Sequence, residues 1–187
     1  MSSGRIDLST EEGLVQGCVR QERRAQRALY ERFSSRMFVV CLRYAKDRDE
    51  AQDLLQEGFI TVFSKISTFN SAGSLEGWMR RIFVNTALMR LRKSDVLRGA
   101  ADVDEPAARS VSSGEDILSG IGGQDILRII RGMPDGFRTV FNMSAVEGYT
   151  HQEIARELGI SEGTSRSQLS RARAWLQERL QEKKIGK

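Results

Sequence analysis

Residues 95–114 constrain the fold of this chain more than any other stretch. On either side of them apolar residues recur at helical spacing. Within them the periodicity is lost, and Pro106 sits among glycine, alanine and serine. A core cannot run continuously through such a segment, which reads as a linker. The chain has only two prolines in 187 residues, and regular apolar–polar alternation is scarce. Sheet is therefore disfavoured on both sides of the break. The expectation is an all-α protein: two small helical domains joined by a flexible linker. The first domain is expected at 5–94, a flexible acidic linker at 95–114, and a second domain containing a helix-turn-helix at 115–183.

The first domain reads as four helices. Ser9 and Glu12 are spaced as a capping box ahead of Leu14, Val15, Cys18 and Val19. Ala25, Leu29, Phe33, Met37, Cys41 and Tyr44 share one side of a longer helix. Asp47 and Glu50 are placed to cap the third, which runs to about Ile66. A loop, 67–74, precedes the fourth at 75–93.

On the third helix Ala51, Leu54, Leu55, Phe59, Val62 and Phe63 form the apolar face. The opposite face carries Asp49, Asp53, Gln56, Glu57 and, among the acids, Ile60. An apolar residue ringed by carboxylates on one helical line has the form of a protein interface, an apolar centre with a polar rim. The fourth helix is apolar on two sides, one stripe being Leu75, Trp78, Met79, Ile82 and Met89 and the other Val84, Leu88 and Leu91. Asn85 at the edge of the first stripe reads either as a satisfied, half-buried polar residue or as one wall of a base pocket with the preceding loop.

In the second domain Phe137, Val140, Phe141 and Ala145 begin a helix that "EGYT" ends. Thr150 and Glu153 then form a capping box, Ile154, Ala155 and Leu158 an apolar face, and Gly159 a turn that a Cβ would resist. Ser161 is a good N-cap for the next helix. This is the layout of a helix-turn-helix. On its second helix Leu169, Ala172, Leu176 and Leu180 line one side, and Ser165 falls on that stripe as a weak point in the packing. Arg166, Ser170 and Arg173 point the other way, flanked by Ser167 and Arg171. Short residues at the helix start (Gly163, Thr164) allow close approach to a groove, arginine can pair with guanine, and serines donate to phosphate. His151, the sole histidine, reads as a surface residue or cap neighbour.

Charge is segregated. Residues 75–93 and 161–187 each carry a net of +4, and residues 47–57 and 94–123 each carry −4, within a chain of net charge +4. Two basic segments suit polyanion contacts. No apolar run is long enough to span a membrane, and the polar N-terminus does not read as a signal peptide. Cys18 and Cys41 do not make a disulfide framework; on apolar stripes they read as small buried hydrophobes. A cytoplasmic protein without membrane insertion, catalytic constellation, metal site or cofactor is expected.

Three segments together resemble the extracytoplasmic-function sigma factors of the sigma-70 family. "DEAQDLLQEGFITVF" is similar to the family's second conserved region. "FNSAGSLEGWMRRIFVNTALMRLRK" is similar to its promoter-melting and −10-reading part. "MPDGFRTVFNMSAVEGYTHQEIARELGISEGTSRSQLSRARAWL" is similar to region four, which reads the −35 element. The resemblance implies that Asp49, Asp53, Gln56, Glu57 and Ile60 meet the clamp coiled coil of the largest subunit of bacterial RNA polymerase core. It implies −10 DNA contacts from Phe69, Asn70, Ser71, Trp78, Arg81 and Asn85, and −35 contacts from Thr164, Arg166, Ser167, Ser170, Arg171 and Arg173. The polymerase flap region, promoter DNA and an anti-sigma factor are the implied partners, and the acidic linker would thread the RNA path. Family members often have a small residue where Phe83 stands, an acidic one at Met89 and valine at Ser165.

A competing class is a polymerase-independent helix-turn-helix regulator with a sensing domain, since LuxR-like regulators carry similar "EIA…LGIS" text. Such a regulator has no use for the Gln56–Glu57 stripe or for the Trp78…Asn85 helix.

Overall fold

The computed structural model describes residues 6–93 and 123–185; the expected linker, 95–114, and the start of the expected second domain, 115–122, lie outside them. Among the described residues every regular element is helical. The elements are α1 (Glu11–Val19), α2 (Arg23–Tyr44), α3 (Arg48–Lys65), a 3₁₀ turn (Ile66–Thr68), α4 (Leu75–Lys93), α5 (Gly123–Arg131), α6 (Asp135–Phe141), a π turn (Asn142–Val146), α7 (His151–Leu158) and α8 (Glu162–Ile185). Two compact units, Met1–Ala87 and Leu88–Lys187, divide the chain inside α4.

In the first unit α2 is the central helix, packed against α1 and α3. Its stripe Ala25, Leu29, Phe33, Met37, Cys41 and Tyr44 is buried along its whole length, as the periodicity requires. The start of α1 differs from expectation. Thr10, not Ser9, is the N-cap and accepts from Gly13 N at 3.0 Å. Ser9 N instead donates to Asp7 Oδ1 at 2.9 Å, which draws Ser9 into the preceding turn. Asp47 caps α3 by accepting from Glu50 N at 2.8 Å, while the Glu50 carboxylate accepts from Lys46 N at 2.7 Å.

α4 corrects a second expectation. Its buried residues are Leu75, Met79, Phe83, Val84, Ala87, Leu88 and Leu91, whereas Met89 is 58% exposed. Phe83 belongs to the core because α3 makes room for it: a Cβ built on Gly58 would lie 2.1 Å from the Phe83 ring. The ring packs edge-on to Phe59 at 5.3 Å, and Phe59 in turn meets Tyr30 at 4.6 Å. Such tilted aromatic contacts add to simple area burial. The start of α4 is fixed by Leu75 N donating to Glu11 Oε2 at 3.3 Å and by the Arg36–Glu76 ion pair at 2.5 Å.

In the second unit α8 packs against α5, α6 and α7. Ile129, Ile130, Met133, Val140, Met143, Ile154, Leu158, Leu169, Ala172 and Leu180 are its buried apolar residues. The connection through Pro134 is held by Arg138, only 3% exposed. Its guanidinium donates to Arg131 O at 3.0 Å and pairs with Asp135 at 2.7 Å. A buried arginine is tolerated only with partners of this kind. The helix expected to run from Phe137 to "EGYT" ends its α form at Phe141 and continues as the π turn, where Glu147 N donates to Asn142 O at 3.0 Å. The wider turn puts two consecutive residues, Asn142 and Met143, into the core and leaves Ala145 exposed.

Candidate functional site

Three surfaces gather the residues singled out from sequence. On α3, Asp49, Asp53, Gln56, Glu57 and Ile60 are all exposed, and Ile60 is 70% exposed. The reverse face of the same helix holds buried Ala51, Leu54, Phe59 and Val62, so the acidic line cannot turn inward. Leu55 and Phe63, expected in that face, are half-buried at its margin. Beside Gln56 runs an open groove of about 350 Å³ between α2 and α3, lined by Tyr30, Phe38, Arg48, Gln52 and Leu55 among others. Arg48 lies 5.2 Å over the Phe38 ring. Tyr30 and Phe38 were not flagged by pattern; their only signal was bulk off the buried stripe of α2.

The second surface is the loop before α4 and the exposed side of that helix. Phe69 and Trp78 are half-buried, with ring centroids 5.5 Å apart, which ties the loop to the first turn. Asn70 Oδ1 accepts from Ala72 N at 3.1 Å, and Ser71 adopts φ 57°. Ser74 Oγ then accepts from Gly77 N at 3.1 Å and caps the helix. Arg81 and Asn85 are exposed and four residues apart on one line. Asn85 is thus a surface group rather than a half-buried one.

The third surface is α7–turn–α8. The Thr150 capping box is complete: Thr150 N donates to Glu153 Oε2 at 2.8 Å, and Glu153 N to Thr150 Oγ1 at 3.2 Å. Gly159 makes the turn with φ +69°, a conformation that glycine adopts without penalty. Ser161 Oγ accepts from Thr164 N at 2.9 Å and caps α8. Arg166, Ser167, Ser170 and Arg173 are exposed, and Arg171 and Thr164 are half-buried. Arg166 pairs with Glu162 at 2.6 Å, and Ser167 Oγ donates to Thr164 O at 2.9 Å. Exposed pairs of this kind are weak and exchange readily for a phosphate or base.

Ser165 overturns the expected weak point. It is fully buried, and a 2.9 Å hydrogen bond joins its Oγ to His151 Nδ1. His151 is half-buried at the first turn of α7 and belongs to the packing between the two helices.

Comparison with known proteins gives the family. The chain matches the model of sigma-70 region 2 over residues 29–96 and that of sigma-70 region 4 over residues 123–176. A similar protein, the ECF RNA polymerase sigma factor SigE of Mycolicibacterium smegmatis, is 29% identical over 155 residues. The alignment takes in 81% of this chain but 60% of that relative, under two thirds of its length. The ECF RNA polymerase sigma-E factor of Haemophilus influenzae is 25% identical over 92% of this chain and 96% of its own. The chain belongs to the sigma-70 family. This sigma factor shares its fold with RpoE of Bartonella quintana, solved with the anti-sigma factor NepR, at a TM-score of 0.51 and 22% identity, covering 83% of this chain and 96% of that one. The sigma-70 family is one of initiation factors and not of enzymes. Among the described residues of this sigma factor, no helix is long and apolar enough to cross a membrane. Nor do three His, Cys, Asp or Glu side chains group to hold a metal among those residues.

Proposed function

We propose that this sigma factor directs RNA polymerase core to specific promoters and assists their melting, in the cytoplasm and by binding rather than catalysis. The observation that carries the reading is Ile60, 70% exposed one turn after Gln56 and Glu57 on a helix whose other face is core. Asp49, Asp53, Gln56, Glu57 and Ile60 dock on the clamp coiled coil of the largest subunit. Phe69, Asn70, Ser71, Trp78, Arg81 and Asn85 take a base from the non-template −10 strand, offsetting an unstacking cost of a few kcal/mol. Thr164, Arg166, Ser167, Ser170, Arg171 and Arg173 fix register on the −35 duplex through phosphate and base contacts. The second unit also meets the flap region. The residues 95–114, acidic in balance, follow the path that RNA later takes.

An anti-sigma factor is a further partner, and the same α3 surface is open to it. A polymerase-independent regulator leaves the α3 line without a use. The test is transcription from a promoter library with core polymerase in the presence and absence of the protein. Start sites that depend on the protein support the reading. Tight specific DNA binding without polymerase, together with no association with core, refutes it.

A further inference from the structure

We propose that His151 and Ser165 are a positioning pair that sets the roll of α8 about its own axis, and hence which base edges its arginines reach. The inference rests on the −35 reading above and deepens it. Ser165 is a hydroxyl at 0% exposure on a face whose other buried residues are Leu169, Ala172, Leu180 and the amide Gln168. Apolar packing along such a stripe is non-directional and lets a helix rotate slightly in its seat. A hydrogen bond has a fixed length and a preferred angle and does not. His151 supplies it from the first turn of α7, where the Thr150–Glu153 capping box holds the backbone.

The geometry makes this pin effective. Side-chain tips lie about 5–6 Å from a helix axis, so a roll of about 20° moves them by about 2 Å. That displacement breaks a base hydrogen bond. Arg166 and Ser167 follow Ser165 directly, and Ser170 and Arg171 come one turn later, so one fixed point orients the whole line. The hydroxyl can donate or accept, so the bond forms with either tautomer of the ring. The pair therefore acts as a fixed pin.

The test uses the full chain with core polymerase and a promoter library whose −35 stretch is randomised. The variants are Ser165→Val, the double variant His151→Leu/Ser165→Val, and His151→Asn. The double variant replaces the bonded pair with apolar neighbours and keeps the packing, so its melting temperature stays at the parental value. Its holoenzyme should recover a broader set of −35 sequences. It should also form about fivefold fewer open complexes on the best parental promoter, the fold-change of one neutral hydrogen bond. Asparagine places an acceptor near the Nδ1 position, so His151→Asn should keep the parental profile. As His151 is the sole histidine, its ring ¹⁵N spectrum reports the bond directly, and Ser165→Val should shift the Nδ1 resonance. A parental profile from the double variant, losses that track melting temperature across the set, or an unshifted ring overturns the pair. A parental holoenzyme that recovers no promoter refutes the sigma reading instead, and the ring spectrum still decides whether the bond exists.

Discussion

Gly58→Ala is expected to destabilise the first unit, although alanine is the better helix former. The added Cβ would meet Phe83 Cε1 at 2.1 Å, Cδ1 at 2.4 Å and Cζ at 2.7 Å. Carbon atoms pack at about 3.5–4.0 Å, so the ring or the helix must retreat by about 1.5 Å. Phe83 is 2% exposed and held edge-on against Phe59, so it has nowhere to go without disturbing its neighbours. Overpacking of this kind costs about 1–3 kcal/mol. Against it stands a gain of about 1 kcal/mol for replacing glycine inside a helix. The clash should win by about 1 kcal/mol, which lowers the melting temperature of a domain this size by about 4–8 °C.

Calorimetric melting of the full chain, with urea unfolding as a second probe, measures the loss. Phe83→Leu removes the opposing ring atoms and destabilises by leaving a void. In that background Gly58→Ala should become neutral or stabilising. The two changes should therefore couple by about 1 kcal/mol or more. A single Gly58→Ala variant that melts at or above the parent, or a double variant whose effects simply add, refutes the fitted-pair reasoning.

Asp53→Arg should reduce binding to core polymerase by about 100-fold, since a charge reversal within an interface costs several kcal/mol. The helical circular dichroism should be unchanged, and undiminished capture of core in a pull-down rejects the α3 interface. Arg171→Ala should weaken −35-dependent initiation by about 5- to 150-fold while core binding stays intact, the worth of one good base contact; equal loss of both contradicts the assignment. Burial pushes the Cys18 thiol up to about 11 and the Cys41 thiol to about 12, from an ordinary value of 9.0. Both thiols should resist iodoacetamide at pH 8.5 until urea is added. Because the unfolded thiols ionise first, folding stability should be intact below pH 9.0 and fall as pH climbs toward about 11. Rapid labelling of the native protein would show the burial to be wrong.

Local signals were legible where they were self-contained. The bounds of α7, the Ser74 cap of α4, the Thr150 box and the Gly159 turn all depend on residues within four positions of one another. What escaped depended on partners far along the chain. Phe83 enters the core because Gly58, on another helix, leaves a space for it; pattern alone favoured Met89 on a helix apolar on both sides. Ser165 looked like a flaw because the residue that satisfies it lies 14 positions earlier. Arg138 would be read as a surface charge, since its acceptors at Arg131 and Met133 exist only once the Pro134 turn has formed. The exposed lines of α3 and α8 were readable because solvent-facing side chains need no partner within the chain. The groove of Tyr30 and Phe38 needed two helices placed side by side.

The loop before α4 is tied at both ends, by Phe69 against Trp78 and by the Ser74 cap, and it is internally folded by Asn70 and the left-handed Ser71. Residues 70–74 between those ties are exposed and support no core. The stretch is in effect a cartridge, with its shape set by the Asn70 side chain and the turn at Ser71 and its mounting set by the domain. On the −10 reading, its ordering cost is met when the protein folds and not when a promoter arrives. The side chains at positions 72 and 73, which make none of these ties, can then be exchanged for others without unsettling α3 or α4, and a new promoter preference can arise there without a new scaffold.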